Sequence, residues 1–201
     1  MIAALLVAMS IRPPEAPATV AEQRARLPPA AECQSEVAGT WKAHVHDPVT
    51  GFWYDRILEI REVEGSATEL TGMMYVDAWR GGPELAEPGP CGDYRYRGKM
   101  VGRGSYAAGV LNFGGGPFQL TELVCGGPFR GYNPDQFSGR IEKERQEFQS
   151  LNNDGGAAVD SPNVFRRIAC FDDEPRDNRD VESPPFFPAR RSRGCGASDQ
   201  D

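Results

Sequence analysis

Gly39-Thr40-Trp41-Lys42-Ala43-His44-Val45-His46 and, past Asp47-Pro48-Val49-Thr50-Gly51, the run Phe52-Trp53-Tyr54-Asp55-Arg56-Ile57-Leu58-Glu59-Ile60-Arg61 set the fold class of this chain. Trp41, Ala43 and Val45 alternate with Lys42, His44 and His46, a period of two that puts apolar side chains on one face of a strand and polar ones on the other. Pro48 and Gly51 each supply a defined backbone dihedral, so residues 47–51 read as a turn. Residues 52–63 then form a long strand, with Phe52, Tyr54, Leu58 and Ile60 on one face and Asp55, Glu59 and Arg61 on the other. Glu64-Gly65-Ser66 turns the chain back into residues 70–76, and two long strands joined by a short turn make an antiparallel hairpin.

Working outward, residues 80–92 read as a Gly- and Pro-rich loop, and residues 94–101, 106–113 and 118–125 as three further strands. Residues 137–141 and 164–170 supply the last two. Between them, residues 142–151 read as a loop or one or two helical turns, and Asn152-Asn153-Asp154-Gly155-Gly156 as a turn. About eight short strands without a long amphipathic helix define an all-β domain, a single antiparallel barrel or sandwich. Trp41, Leu58, Ile60, Leu111, Leu120 and Ile168 are its expected buried residues. Residues 1–32 hold an apolar N-terminal run and a Pro-rich linker, in which Thr19 is placed to cap a short helix with Glu22. Residues 33–171 are the β-domain, and residues 172–201, dominated by charge and proline, are expected to be a disordered tail.

At 201 residues, with 23 Gly and 17 Pro, the chain suits one domain with many turns. A net charge of −7 argues against a nucleic-acid footprint, and the short basic cluster Arg190-Arg191-Ser192-Arg193 falls in the tail. Met1-Ile2-Ala3-Ala4-Leu5-Leu6-Val7-Ala8-Met9 has the apolarity of a signal peptide but no preceding basic residues, and is too short to span a bilayer. Cysteines at the edges of the β region tilt the reading toward an extracytoplasmic location, because structural disulfides persist in oxidising compartments. Four cysteines allow three pairings. Cys33 precedes the first strand and Cys170 ends the last, and those strands are neighbours in a closed sheet, so Cys33–Cys170 is expected. Cys91 and Cys125 both end Gly/Pro-rich loops and form the second expected pair, leaving Cys195 in the tail unpaired.

Val37-Ala38-Gly39-Thr40-Trp41 resembles the Gly-x-Trp opening of lipocalin-like, calycin-type up-and-down barrels. The resemblance implies that Trp41 closes one barrel end, that Gly39 lets the chain pass, and that an arginine of the last strand, Arg166 or Arg167, stacks on the indole. The block Tyr132-Asn133-Pro134-Asp135-Gln136-Phe137-Ser138-Gly139 through Phe165-Arg166-Arg167-Ile168 also resembles uncharacterised domains of bacterial exported proteins, which implies a compartment and no activity.

His44 and His46 are the only histidines, and two apart on a strand they share a face. A metal there would need a third ligand from Asp47, Asp55 or a neighbouring strand, so the expected state is a pair of solvent-facing polar residues holding no metal tightly. Asn133-Pro134-Asp135 and residues 152–156 offer oxygen ligands for calcium but lack the alternating acids and closing Glu of an EF-hand, and read as turns. The glycine clusters at 114–116 and 126–127 precede no Lys-Ser or Lys-Thr, and no serine has the flanks of a nucleophile elbow. Many acid pairs are possible and none is singled out. Trp53, Tyr75, Trp79, Tyr94, Tyr96 and Phe118 are the candidate ligand-binding residues, since barrel mouths bind ligands with such side chains; ordinary core and rim packing is the competing account. No cofactor is implied. These features point to an exported, non-enzymatic β-domain that binds a small apolar ligand or a protein partner. A structural or accessory domain without ligand is the alternative, and a hydrolase using an acid pair a more distant one.

Overall fold

The computed structural model describes residues 20–89, 94–156 and 159–171. A short helix, α1 (Val20–Ala25), precedes the strands β1 (Gly39–Asp47), β2 (Phe52–Glu62), β3 (Glu69–Arg80), β4 (Arg95–Ala107), β5 (Val110–Gly115), β6 (Gln119–Cys125), β7 (Gln136–Glu142), β8 (Glu147–Asn152) and β9 (Ser161–Ala169). All strand pairs are antiparallel, and β9 returns to pair with β1. Eight strands thus close an up-and-down barrel, the alternative to the sandwich, and closure removes the sheet edges. The remaining strand, β6, continues the line of β5 along β4: β5 pairs residues 102–107 and β6 pairs residues 95–99.

The barrel interior is filled. Phe137, Phe148 and Phe165 from three successive barrel strands pack ring to ring at 4.8 and 5.7 Å. Trp41, Phe113 and Met100 complete the fully buried centre. Trp41 is held as the Gly-x-Trp resemblance implies. Its indole N–H donates to the Val37 carbonyl at 2.9 Å, and the Arg167 guanidinium lies 4.6 Å above the ring. Arg167 donates in turn to the carbonyls of Ser35, Glu36 and Ala38. Of the two arginines open from sequence, Arg167 points inward and Arg166 outward. Gly39 has φ +142°, and a Cβ there would lie 2.7 Å from the Ala169 carbonyl oxygen and 3.0 Å from Arg167 Cδ. Gly39→Ala is therefore expected to cost about 1–3 kcal/mol by overcrowding. A shifted urea midpoint at constant m-value checks this; an unmoved midpoint would mean that the β1–β9 seam yields freely.

Four readings are corrected. Residues 147–152 form β8 rather than a loop or helical turns. The alternation there is masked, because its inward residues Ser150 and Asn152 are polar and satisfied by Asn163 and Asp135, while apolar Leu151 faces out. The expected strand at 106–113 is a hairpin, with Ala108 and Gly109 at φ 51° and 78° joining β4 to β5. An alanine at the first of these positions hides the usual Asn-Gly signal. Leu120 is exposed, because β6 pairs only with β4 and no strand flanks its other side. Ile168 is only half-buried, because β9 turns Phe165 and Arg167 inward.

Cys33 and Cys170 are bonded, with Cα atoms 5.5 Å apart. Cys125 is also in a disulfide; its expected partner Cys91, together with Cys195, lies outside the described residues, as do Thr19 and the tail beyond residue 171. Residues 20–38, read as linker up to residue 32, rest on the barrel wall. Gln23 clamps β9 through its amide, donating to the Pro162 carbonyl and accepting from the Val164 N–H, both at 2.8 Å. Arg24 and Arg166 converge on the fully buried Glu147. Among the described residues no helix is long and apolar enough to cross a membrane.

Candidate functional site

Strand alternation that turns Trp41, Ala43 and Val45 inward must turn Lys42, His44 and His46 outward. On β2 the outward residues include Trp53 and Asp55, on β3 Asp77 and Trp79, and on β4 Arg95 and Arg97. Register then places His44, Asp55, Asp77, Arg97 and Glu122 opposite one another in one row across five strands. The adjacent row is His46, Trp53, Trp79 and Arg95.

Within the first row each acid has cationic or imidazole partners. The His44 Nδ1–H donates to Asp55 Oδ1 at 2.5 Å, and Lys42 Nζ lies 3.0 Å from Asp55 Oδ2. Arg95 grips Asp77 through Nε at 2.9 Å and Nη2 at 2.6 Å, and Arg97 Nε adds a third bond at 2.8 Å. Arg97 also reaches Glu122 at 3.2 Å. Burial by itself pushes the Asp55 carboxyl up, but the bond from His44 and the Lys42 charge outweigh it and hold the group below its ordinary range.

Asp77 is only 1% exposed although it stands on the outside of the barrel. Arg95 and Arg97 pack on it, and residues 81–88 cross the same face, pinned by three outward rings: His46 Nε2 donates to the Gly81 carbonyl, Trp53 Nε1 to Gly82, and Trp79 Nε1 to Leu85, at 2.8–3.0 Å. Trp53 and Trp79 stack at 6.4 Å and 11°, His44 stacks on Trp53 at 4.8 Å, and the Arg26 guanidinium lies 4.9 Å over Trp53. Between this roof and the strands is a pocket of about 490 Å3, lined by Lys42, His44, Asp55, Asp77, Trp79 and Arg95, with Arg26, Ala86, Glu87 and Pro88 at its edge.

The expected ligand-binding residues fall into three places. Trp53 and Trp79 belong to this outer array. Tyr75, one row further along the same face, packs on Ile57. Tyr94, Tyr96 and Phe118 point inward at one barrel end, where Phe129 and Tyr132 join them; Phe118 stacks on Tyr132 at 4.5 Å. That end keeps a pocket of about 150 Å3 beside Tyr54, Tyr96, Tyr132, Arg56 and Asp135. The expected solvent-facing histidines are corrected: His44 and His46 do lie on the outer face, but His44 is 9% exposed, bonded to Asp55 and stacked under the roof, and His46 is half-buried. Among the described residues no group of three or more His, Cys, Asp or Glu could hold a metal ion. Asp135, in a segment weighed for calcium, faces inward and is bonded to Arg56, Asn152 and Tyr132. Asn153 and Asp154 accept from the N–H groups of Gly155 and Gly156, as turn residues do.

Asp77, Arg95 and Arg97 were not legible as a site. Their only signal is charge at outward positions of β3 and β4, and it becomes a row only through cross-strand register. Asp55 and Asp77 meet as the convergent acids a hydrolase would need, yet neither is placed to act as a general acid. Asp55 is held ionised, and both Asp77 oxygens accept from guanidinium groups.

No protein-family model matches this chain, and no curated protein or solved structure shows significant similarity to it. The class defined by fold and site is a closed eight-stranded up-and-down barrel with a half-open pocket of mixed polarity on its outer wall.

Proposed function

We propose that this is an extracytoplasmic, calycin-type binding domain that holds a small molecule in the outer-wall pocket over β1–β4 rather than inside the barrel. The observation that carries this reading is the group of buried polar residues His44, Asp55 and Asp77 that lines a pocket with residues 86–88 on the outer wall. Desolvating several ionised groups on the outside of a wall is costly, and a barrel needing only stability would place apolar side chains there. The Gly39, Trp41 and Arg167 arrangement supports the calycin type, and the Cys33–Cys170 disulfide supports the compartment. The filled interior leaves little room for the apolar ligand expected from sequence, so the proposed ligand has mixed polarity. The same filled interior favours the second reading, a structural domain without ligand.

Indole N–H resonances separate the two. The chain has three tryptophans; Trp53 and Trp79 report on the roof, and Trp41, bonded to Val37, serves as internal control. In a small-molecule fragment screen by 1H–15N NMR, hits are expected to shift Trp53 and Trp79 and leave Trp41 unmoved. Hits that move only the resonances of Tyr96 and Tyr132 would put the site at the barrel end, and a screen without hits would favour the structural domain; either result overturns the proposal.

A further inference from the structure

We infer that the outer-wall pocket takes a small organic anion with an apolar body, an aryl carboxylate in its simplest form; this rests on the pocket being a binding site as proposed above. The inference comes from which polar atoms of the lining are already used. On the strand floor every oxygen of the two acids already has a donor partner: those of Asp55 from His44 and Lys42, those of Asp77 from Arg95 and Arg97. A ligand cation would have to compete with these partners for the same oxygens.

The unused capacity is on the donor side. Arg95 spends Nε and Nη2 on Asp77, and its Nη1 has no protein acceptor among the described residues. The Arg26 guanidinium lies over Trp53 and has no carboxylate partner among the described residues, so its planar fork remains available to the pocket it lines. A carboxylate between Arg26 and Arg95 would make charge-assisted bonds to groups that are positioned before it arrives. Glu87 is the one acid of the lining outside these networks, and it is exposed at the rim, where solvent screens it.

The apolar half of the ligand follows from the rest of the lining. Trp79 contributes an indole to the floor, and Ala86 and Pro88 of the covering segment supply aliphatic surface. A volume of about 490 Å3 suits a one- or two-ring molecule, within the range of small-ligand pockets.

The test uses 2-naphthoate, its neutral isostere 2-naphthamide, and the cation 2-naphthylmethylamine, titrated into the disulfide-intact protein and followed at the three indole N–H resonances. Naphthoate is expected to shift Trp79 and Trp53 and to bind about tenfold tighter than the amide, as expected for a charge-assisted bond. Arg26→Gln is expected to weaken naphthoate about three- to tenfold and leave the amide unchanged, since the lost contact is partly solvated. Arg26 is exposed and forms no ion pair among the described residues, so this change leaves the fold intact, whereas Arg95→Gln would unpair the buried Asp77. Equal binding of naphthoate and amide, or tighter binding of the amine, overturns the anion assignment while the pocket stands. If none of the three probes moves Trp53 or Trp79, the pocket reading itself fails.

Discussion

Replacing Cys33 and Cys170 together by serine is expected to remove about 2–5 kcal/mol of stability and to lower the melting temperature by roughly 5–20 °C. The bond joins residues 137 apart in sequence, nearly the whole barrel, and chain-entropy arguments for a loop of that length give on the order of 5 kcal/mol. Its position adds a second effect. Cys33 lies just before the segment whose Ser35, Glu36 and Ala38 carbonyls receive Arg167, and Cys170 lies just after β9, so the disulfide fastens both chains where β9 closes on β1. Urea unfolding of the oxidised protein and the double serine variant measures the difference. A variant as stable as the parent would show that sheet pairing and Trp41 packing hold the seam unaided.

Asp135→Ala is expected to destabilise the barrel by about 3–5 kcal/mol, because it leaves a buried guanidinium without its counter-charge. Arg56 is 5% exposed and Asp135 1% exposed, with Nε 3.1 Å from Oδ2 and Nη1 3.2 Å from the Asn163 side-chain oxygen. Burial alone would lower the Arg56 pKa, but the Asp135 charge more than offsets it and holds the group above its ordinary range. Asp135 also accepts from Asn152 at 2.5 Å and from the Tyr132 hydroxyl, so the same carboxylate ties β8 and the segment before β7 to β2. The double replacement Arg56→Met, Asp135→Leu removes both charges at once and is expected to recover most of the loss. If the single variant costs under 1 kcal/mol, water reaches Arg56 through the barrel-end pocket and the pair is not structurally isolated.

The serine and Asp135 predictions separate what can be read locally from what cannot. The Cys33–Cys170 bond was legible because it depends on where the first and last strands lie along the chain. The Arg56–Asp135 pair was not: Arg56 sits among the inward residues of β2, and only closure brings Asp135, 79 residues on, to face it. The candidate site divides the same way. Trp53 and Trp79 stood out as aromatics in excess of a small core, and alternation set Trp53 on the face opposite Phe52 and Tyr54, but only register joined it to Trp79 and set it apart from Tyr94, Tyr96 and Phe118, which point into the barrel.

Alternation along β1 and β2, the turn at residues 47–51, the hairpin into β3 and the Gly39 to Trp41 opening were determined by sequence, because each rests on backbone preferences and side-chain periods within a few residues. Barrel against sandwich, the polar-faced strand β8, the choice of Arg167 over Arg166 and the row from His44 to Glu122 were decided only by tertiary structure. Register between strands is a non-local quantity: a shift of one residue reverses every face, and it is settled by the packing of the whole interior. Charges spread over five strands in sequence become one row, buried from His44 to Arg97, only after that packing has fixed which residues stand opposite one another.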